Sequence, residues 1–350
     1  PPQRPSAHRE REAGNTDLMA SSSSASSGAR TAMLQFMLEN GIETVSEDAS
    51  LYTFDNAQHQ SLIRAEPWKK DPKYFKNTRI SALALLKMVM HARSGVPQEV
   101  MGFLQGKVEG DTFIVLDAVP LPVEGTETRV VAMEETYEYM VQYMSLAEKS
   151  GRSHPQIGWY HSHPGYRCWL SRTDCGTQKL YQDHQDPSCA IVVDPVTTSA
   201  TGKVDIGSFR LYPENYKPGT ADAESSLSIP LSKMEDFGSQ AGRFYAMECS
   251  YFKSKEDSAL LEVLWNQYWA DTLSSSPLLA NREHTSDRVE DISQKLSRVE
   301  NRRTTSFDKS KKVQQLERIN KDCESLAEEQ LHGLLSEIIK ESIFSGGQFS

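Results

Sequence analysis

The stretch QIGWYHSHPGYRCWLSRTD, Gln156 to Asp174, sets two histidines and a carboxylate along a strand, a loop and the start of a helix. Gln156 to Tyr160 has the apolar and aromatic content of a short buried strand. His161 and His163 follow at a spacing of two, which puts both rings on one side of extended backbone. Paired imidazoles suit zinc. Pro164-Gly165 turns the chain, and Ser171-Arg172-Thr173-Asp174 opens a helix predicted to run to about His184, with Asp174 in the first turn where it can face the rings. Other readings stand beside this one. A His-x-His pair arises by chance on surfaces, and Ser171 to Asp174 is by itself a capping box, which is compatible with a metal. Two histidines and a carboxylate leave a fourth position for water, as catalytic zinc sites do. Cys168 and Cys175 are the alternative that closes the site structurally, although no Cys-x-x-Cys pair supports it.

Working outward, Ile80 to His91 (ISALALLKMVMH) is apolar around most of its circumference and predicts a buried helix ending before Gly95-Val96-Pro97. Glu99 to Lys107 and Thr112 to Val119 read as the strands of a hairpin turning at Val108 to Asp111. Glu99 is the candidate general base, a carboxylate set just before the apolar Val100 to Leu104; a solvated strand-end Glu is the competing reading. Met133 to Ser150 predicts a helix with Tyr137, Met140, Val141 and Met144 on its apolar face. Cys189 to Val193 is a core strand halted at Asp194-Pro195, and Lys203 to Leu211 alternates as another. Helices interleaved with strands make an α/β domain with a mixed sheet, from about Tyr74 to Tyr216.

Beyond the polar loop at Pro218 to Ser228, Arg243 to Phe252 is strand-like, and Leu260, Leu261, Leu264, Trp265, Tyr268 and Trp269 share a helical face. Val289, Ile292, Leu296 and Val299, then Val313, Leu316, Ile319, Cys323 and Leu326, mark two long amphipathic helices reaching about Ile343. Such helices beyond a compact domain pair with each other or with helices of another subunit, and a partner chain is the favoured reading here. Three regions follow: 1–46, a leader and Ser-rich segment expected to be disordered; 47–228, the α/β domain with its N-terminal extension; and 229–350, mainly helical and suited to assembly. A net charge of −10 argues against a nucleic-acid surface. Five irregularly spaced cysteines indicate a reducing compartment, cytoplasm and nucleus, and Ile80 to Met90 is too short to span a membrane.

Glu99, the run His161-Ser162-His163-Pro164, and Ser171 and Asp174 together resemble the JAMM (MPN+) metalloprotease motif, Glu…His-Ser/Thr-His-Pro-x6-Ser-x2-Asp. SALALLKMVMHARSG, EVMG, LPVEGTETRV, GWYHSHPGY and LSSSPLL are similar to the signalosome branch of that family, from about Leu51 to the C-terminal helices. The resemblance implies an MPN fold with a C-terminal helical extension. It also implies a zinc isopeptidase that removes a ubiquitin-like modifier from cullins (deneddylation), regulating cullin-RING ubiquitin ligases from within a signalosome-like complex. It assigns Zn2+ to His161, His163 and Asp174, acid/base work to Glu99, and donation to the developing oxyanion to Ser171. A deubiquitinase of the proteasome-lid type shares the motif, and a non-catalytic MPN scaffold is the alternative from another class. Arg167 and Arg172 stand where the family usually has Gly, and Cys175-Gly176 replaces a Val-Ser-like pair. If position 167 needs φ > 0, a non-Gly residue there costs about 1 to 2 kcal/mol. The family's isolated subunit is nearly inactive, and Glu124 to Arg129 is a charged loop suited to a latch: Glu127 approaching the open metal position, or Arg129 pairing with Asp174. A plain solvated loop is the competing reading.

Overall fold

The computed structural model describes residues 33–344 except 35, 46–48, 124–133, 152–153, 215, 217–228, 255–256, 259, 262–281 and 302–308. β1 (Glu43–Thr44) is a short leading strand, and β2 (Asn77–Ser81) precedes the central hairpin of β3 (Met101–Glu109) and β4 (Thr112–Pro120). The hairpin turns through Gly110 at φ 56°, a left-handed conformation that glycine adopts without penalty. β5 (Gln156–Ser162) lies antiparallel to β3 and brings His161 opposite Met101. β6 (Cys189–Asp194) is parallel to β5, and β7 (Asp205–Leu211) is antiparallel to β6. β8 (Phe244–Lys253) pairs with β7 through its first half and with β2 through its second, so the sheet returns on itself.

Strand alternation sends side chains to two cores. Leu104, Val115, Ile191 and Val193 join one cluster, and Phe103, Trp159, Ala190 and Val192 join the other. Into the first packs the helix α1 (Ala82–Gly95), whose Ala84, Leu85, Leu86, Met88 and Val89 are buried. Over the second lie α2 (Glu134–Lys149), α3 (Arg172–His184) and, after α4 (Pro195–Thr201), α5 (Met234–Gln240). α6 (Arg282–Asn301) and α7 (Lys309–Phe344) pair with each other and contact α4.

Several expectations change. Ile80 is in β2, not in the helix: Ser81 ends the strand and caps α1 through its hydroxyl, which accepts from the Ala84 N–H at 3.1 Å. A five-residue central strand carries too little alternation to be read before an apolar helix. Disorder is not what the described residues of 33–45 show, because Met33, Phe36 and Ile42 are buried in the main core. Burying such side chains is worth about 1.5 to 3 kcal/mol each. The strand expected at 243–252 closes the domain's own sheet, so the boundary drawn at 228 cuts through one sheet, which ends at Lys253. Asp194-Pro195 does more than halt β6: Asp194 caps α4, with Pro195 at its first turn. On α2, Met140 is buried but Val141 is exposed. On α6 and α7 the expected Val299 and Ile319 are buried, but so are the polar His284, Arg288, Lys295, Asp322 and Glu329, while Val289, Leu296, Val313 and Leu316 face outward.

Candidate active site

His161 and His163 are the last residue but one of β5 and the first beyond it, and Ser162 between them faces the other way. The Ser162 hydroxyl accepts from the Val100 N–H at 2.9 Å, and its own N–H donates to the Val100 carbonyl at 3.0 Å. This clamp fixes the neighbour of Glu99 against the histidine pair. α3 is tied to the same strand because Trp159 Nε1 donates to Gln178 Oε1 at 2.9 Å and Gln178 Nε2 donates to the Ser188 carbonyl at 2.9 Å. Asp174, one turn before Gln178, is thereby held over the rings. The capping box is present: the Ser171 hydroxyl accepts from the Asp174 N–H, and Asp174 Oδ2 accepts from the Ser171 N–H at 2.7 Å.

The two Nε2 atoms lie 3.0 Å apart, and each lies 3.3 or 3.4 Å from Asp174 Oδ2. Metal–ligand bonds of about 2.0 to 2.1 Å at tetrahedral angles put ligand atoms about 3.3 Å apart. The three residues are buried and fit one zinc-sized cation, and they are the group of that kind found among the described residues. His163 Nδ1 meets the Arg167 carbonyl at 3.0 Å; a carbonyl only accepts, so Nδ1 carries the proton and Nε2 presents its lone pair. His161 Nδ1 has no hydrogen-bond partner among the described residues, and its ring stacks on Trp159 at 4.6 Å. Burial opposes a charge on His161, but Asp174, with Glu99 behind it, raises its proton affinity above the ordinary histidine value. Burial likewise opposes the Asp174 carboxylate, and the two histidines overcome it and hold its pKa well below the usual range.

Glu99 is 4% exposed, so it is not a solvated strand end. Its Oε1 accepts from the Tyr166 hydroxyl, whose phenol is kept protonated by burial and by the Glu99 charge. Tyr166 also stacks on His163 at 4.4 Å. Sequence reading missed Tyr166; its place just after the His-Ser-His-Pro turn was the available signal. Asp194 was missed as well. Fully buried, it accepts from the Gly165 and Arg167 N–H groups at 2.9 and 3.0 Å while capping α4, and so anchors the loop behind His163. Cys168 and Cys175 bond elsewhere, to the carbonyls of Asp205 and Leu170. Arg172 is exposed. Arg167 does adopt φ 69°, the left-handed region that was the condition for strain. Glu127 and Arg129 lie outside the described residues.

The family model of the JAB1/Mov34/MPN/PAD-1 ubiquitin protease matches residues 73–187, and that of the Cop9 signalosome subunit 5 C-terminal domain matches 274–345. The chain is 49% identical to COP9 signalosome complex subunit 5 of Dictyostelium discoideum, over 91% of this chain and 97% of that one. The chain belongs to the COP9 signalosome subunit 5 family. Subunit 5 of Drosophila melanogaster is 50% identical over 88% of this chain and 95% of its own length, and subunit 5b of Arabidopsis thaliana 46% over 88% and 90%. The family's JAB/MPN domain occupies the sheet and helices that build the His-His-Asp group, and its C-terminal domain spans α6 and α7.

Proposed function

We propose that this chain is a zinc isopeptidase that hydrolyses the bond between a ubiquitin-like modifier and a lysine of cullin, as the catalytic member of a signalosome complex in cytoplasm and nucleus. The convergence of His161, His163 and Asp174 beside buried Glu99 carries the reading. The donor set, two nitrogens and one oxygen, favours zinc over the all-oxygen surroundings that magnesium prefers. When bound there, the zinc ion supplies Lewis-acid chemistry, acidifying water and polarising the scissile carbonyl.

The chain's own residues do the rest. Glu99, held by Tyr166, takes the proton of the attacking water and returns it to the departing lysine amine. Ser171 accepts from the Asp174 N–H with its oxygen, leaving its hydroxyl proton to donate to the developing oxyanion. The double role of Asp174, cap acceptor and ligand, fixes that hydroxyl relative to the metal. A scaffold reading expects this set to be eroded, and every position is filled. A proteasome-lid deubiquitinase shares the site, but the match of the C-terminal model favours the signalosome.

The test is elemental analysis with a cleavage assay on a modified cullin, using assembled complex. Parent protein carrying about one zinc that His161→Ala loses, and cleaving the modifier faster than a ubiquitin–cullin fusion, supports the proposal. Full zinc retention in His161→Ala, or preference for the ubiquitin fusion, refutes it.

A further inference from the structure

Arg167 is held at both ends. Its main chain belongs to the metal site: the N–H donates to Asp194 Oδ2 at 3.0 Å, and the carbonyl accepts from His163 Nδ1 at 3.0 Å. Its side chain belongs to the C-terminal helices: Nη2 donates to Ser325 Oγ at 3.0 Å and pairs with the Glu329 carboxylate, while Nη1 reaches Asp205 Oδ2 at 3.2 Å. Glu329 is 5% exposed and is steadied in turn by Ser325 Oγ at 3.1 Å and by His284 Nε2 at 3.4 Å across the helix pair. One continuous chain of contacts therefore runs from α6 and α7 to a ligand nitrogen's partner, across more than 160 residues of sequence.

A glycine at this position would supply the same left-handed backbone and the same carbonyl without any side chain to tie down. The arginine adds a restraint on that carbonyl beyond the backbone conformation itself, and it ends on a buried carboxylate of α7. A carbonyl behind a ligating histidine sets the tautomer and the orientation of the ring, and so the affinity for the ion.

We propose that Arg167 is a positioning residue for His163 and that the docking of α7 through Glu329 sets it, so that lifting α7 from the domain loosens the metal ligand. The inference rests on the metal reading above and adds a route by which the assembly helices govern the centre. Partners that take hold of α6 and α7 then act on the site without touching it, by favouring the seated or the lifted arrangement.

The test uses the full chain with bound zinc, following zinc transfer to a colorimetric chelator and the 15N spectrum of the histidines. Glu329→Gln, nearly isosteric, and Arg167→Gly, which keeps the backbone conformation, should each speed zinc release about tenfold. Both should weaken the Nδ1–H signature of His163 in zinc-free protein, which a merely structural effect on the helices leaves unmoved. The double variant should release no faster than either single one, and Glu328→Gln, exposed on the same turn, should match the parent. Release at the parental rate in Glu329→Gln, or additive effects in the double variant, overturns the inference. Failure of the metal reading looks different: the parent then carries no zinc that His161→Ala removes.

Discussion

The proposed general-base role of Glu99, taking a proton and giving it back, requires a carboxylate that is held in place. Tyr166 does the holding, donating to Oε1 from a phenol that burial keeps protonated. Hydrogen bonds to charged groups contribute about 1.5 to 3 kcal/mol. Tyr166→Phe should therefore keep its zinc and lower kcat by about tenfold or more with KM little changed, whereas Glu99→Gln should keep zinc and lose about 10²- to 10⁴-fold. Equal kcat in Tyr166→Phe and parent would remove Tyr166 from the machinery. Asp205 gives a second prediction at this scale. Burial, with Asp194 adding to it, pushes its carboxyl from 3.8 up to about 6 against the pull of Arg167. A carboxyl with a raised folded-state pKa binds its proton more tightly when folded, so its contribution to stability is present at low pH and fades as pH rises from about 4 through 6. Asp205→Asn does not titrate, so its stability relative to the parent in urea unfolding should rise across that window and level off above it; a pH-independent difference contradicts this.

Among the elements, α4 shows most plainly how the fold serves the site. Only seven residues long, it is held by the Asp194 cap, and the same carboxylate grips the loop that follows His163. Caps alone are worth about 0.5 to 2 kcal/mol, and a buried acceptor with further N–H partners more. Asp194→Ala should cost roughly 3 kcal/mol or more in denaturant unfolding and weaken zinc binding, while Ser171→Ala should cost about 1 kcal/mol and lower kcat. The strand and helix signals around Gln156 to Asp174 were legible because the period changes from two to helical within one short run, with a capping box marking the change. Glu99 was legible only as an odd charge before an apolar strand. Its burial depends on the Ser162 clamp and Tyr166, both of them contacts across more than 60 residues. Asp194 read as a terminator because Asp-Pro ends strands and begins helices alike. The faces of α6 and α7 were half legible: apolar spacing shows which residues want cover, and the chain itself covers Val299 and Ile319 but leaves Val289, Leu296, Val313 and Leu316 exposed.

At the scale of the whole molecule, buried charge ties the two helices to each other and fastens them to the domain. Lys295 is buried between Asp291 and Asp322 at 2.7 and 2.6 Å and donates to the Ile229 carbonyl at 2.7 Å, while Arg167 and Glu329 form the second fastening. Outward lie Val289, Leu296, Val313, Leu316, Leu331, Leu334, Leu335 and Ile338, all at least 41% exposed. Leu260 is also exposed, and Leu264 and Trp265 lie outside the described residues. Truncation after Asp271 removes both helices but none of the eight strands. The shortened chain should stay folded by circular dichroism, drop out of the complex on co-purification, and release zinc faster than the full chain; unchanged co-purification would show that the helices are not the assembly surface. A helix pair that turns most of its leucines to water while burying Arg288, Lys295, Asp322 and Glu329 departs from the usual arrangement of a solo protein. Prepared without partners, the full chain should self-associate increasingly with concentration in sedimentation runs. Leu316→Ser with Leu334→Ser should suppress that association while leaving the charged seat, and the metal centre behind it, as they were.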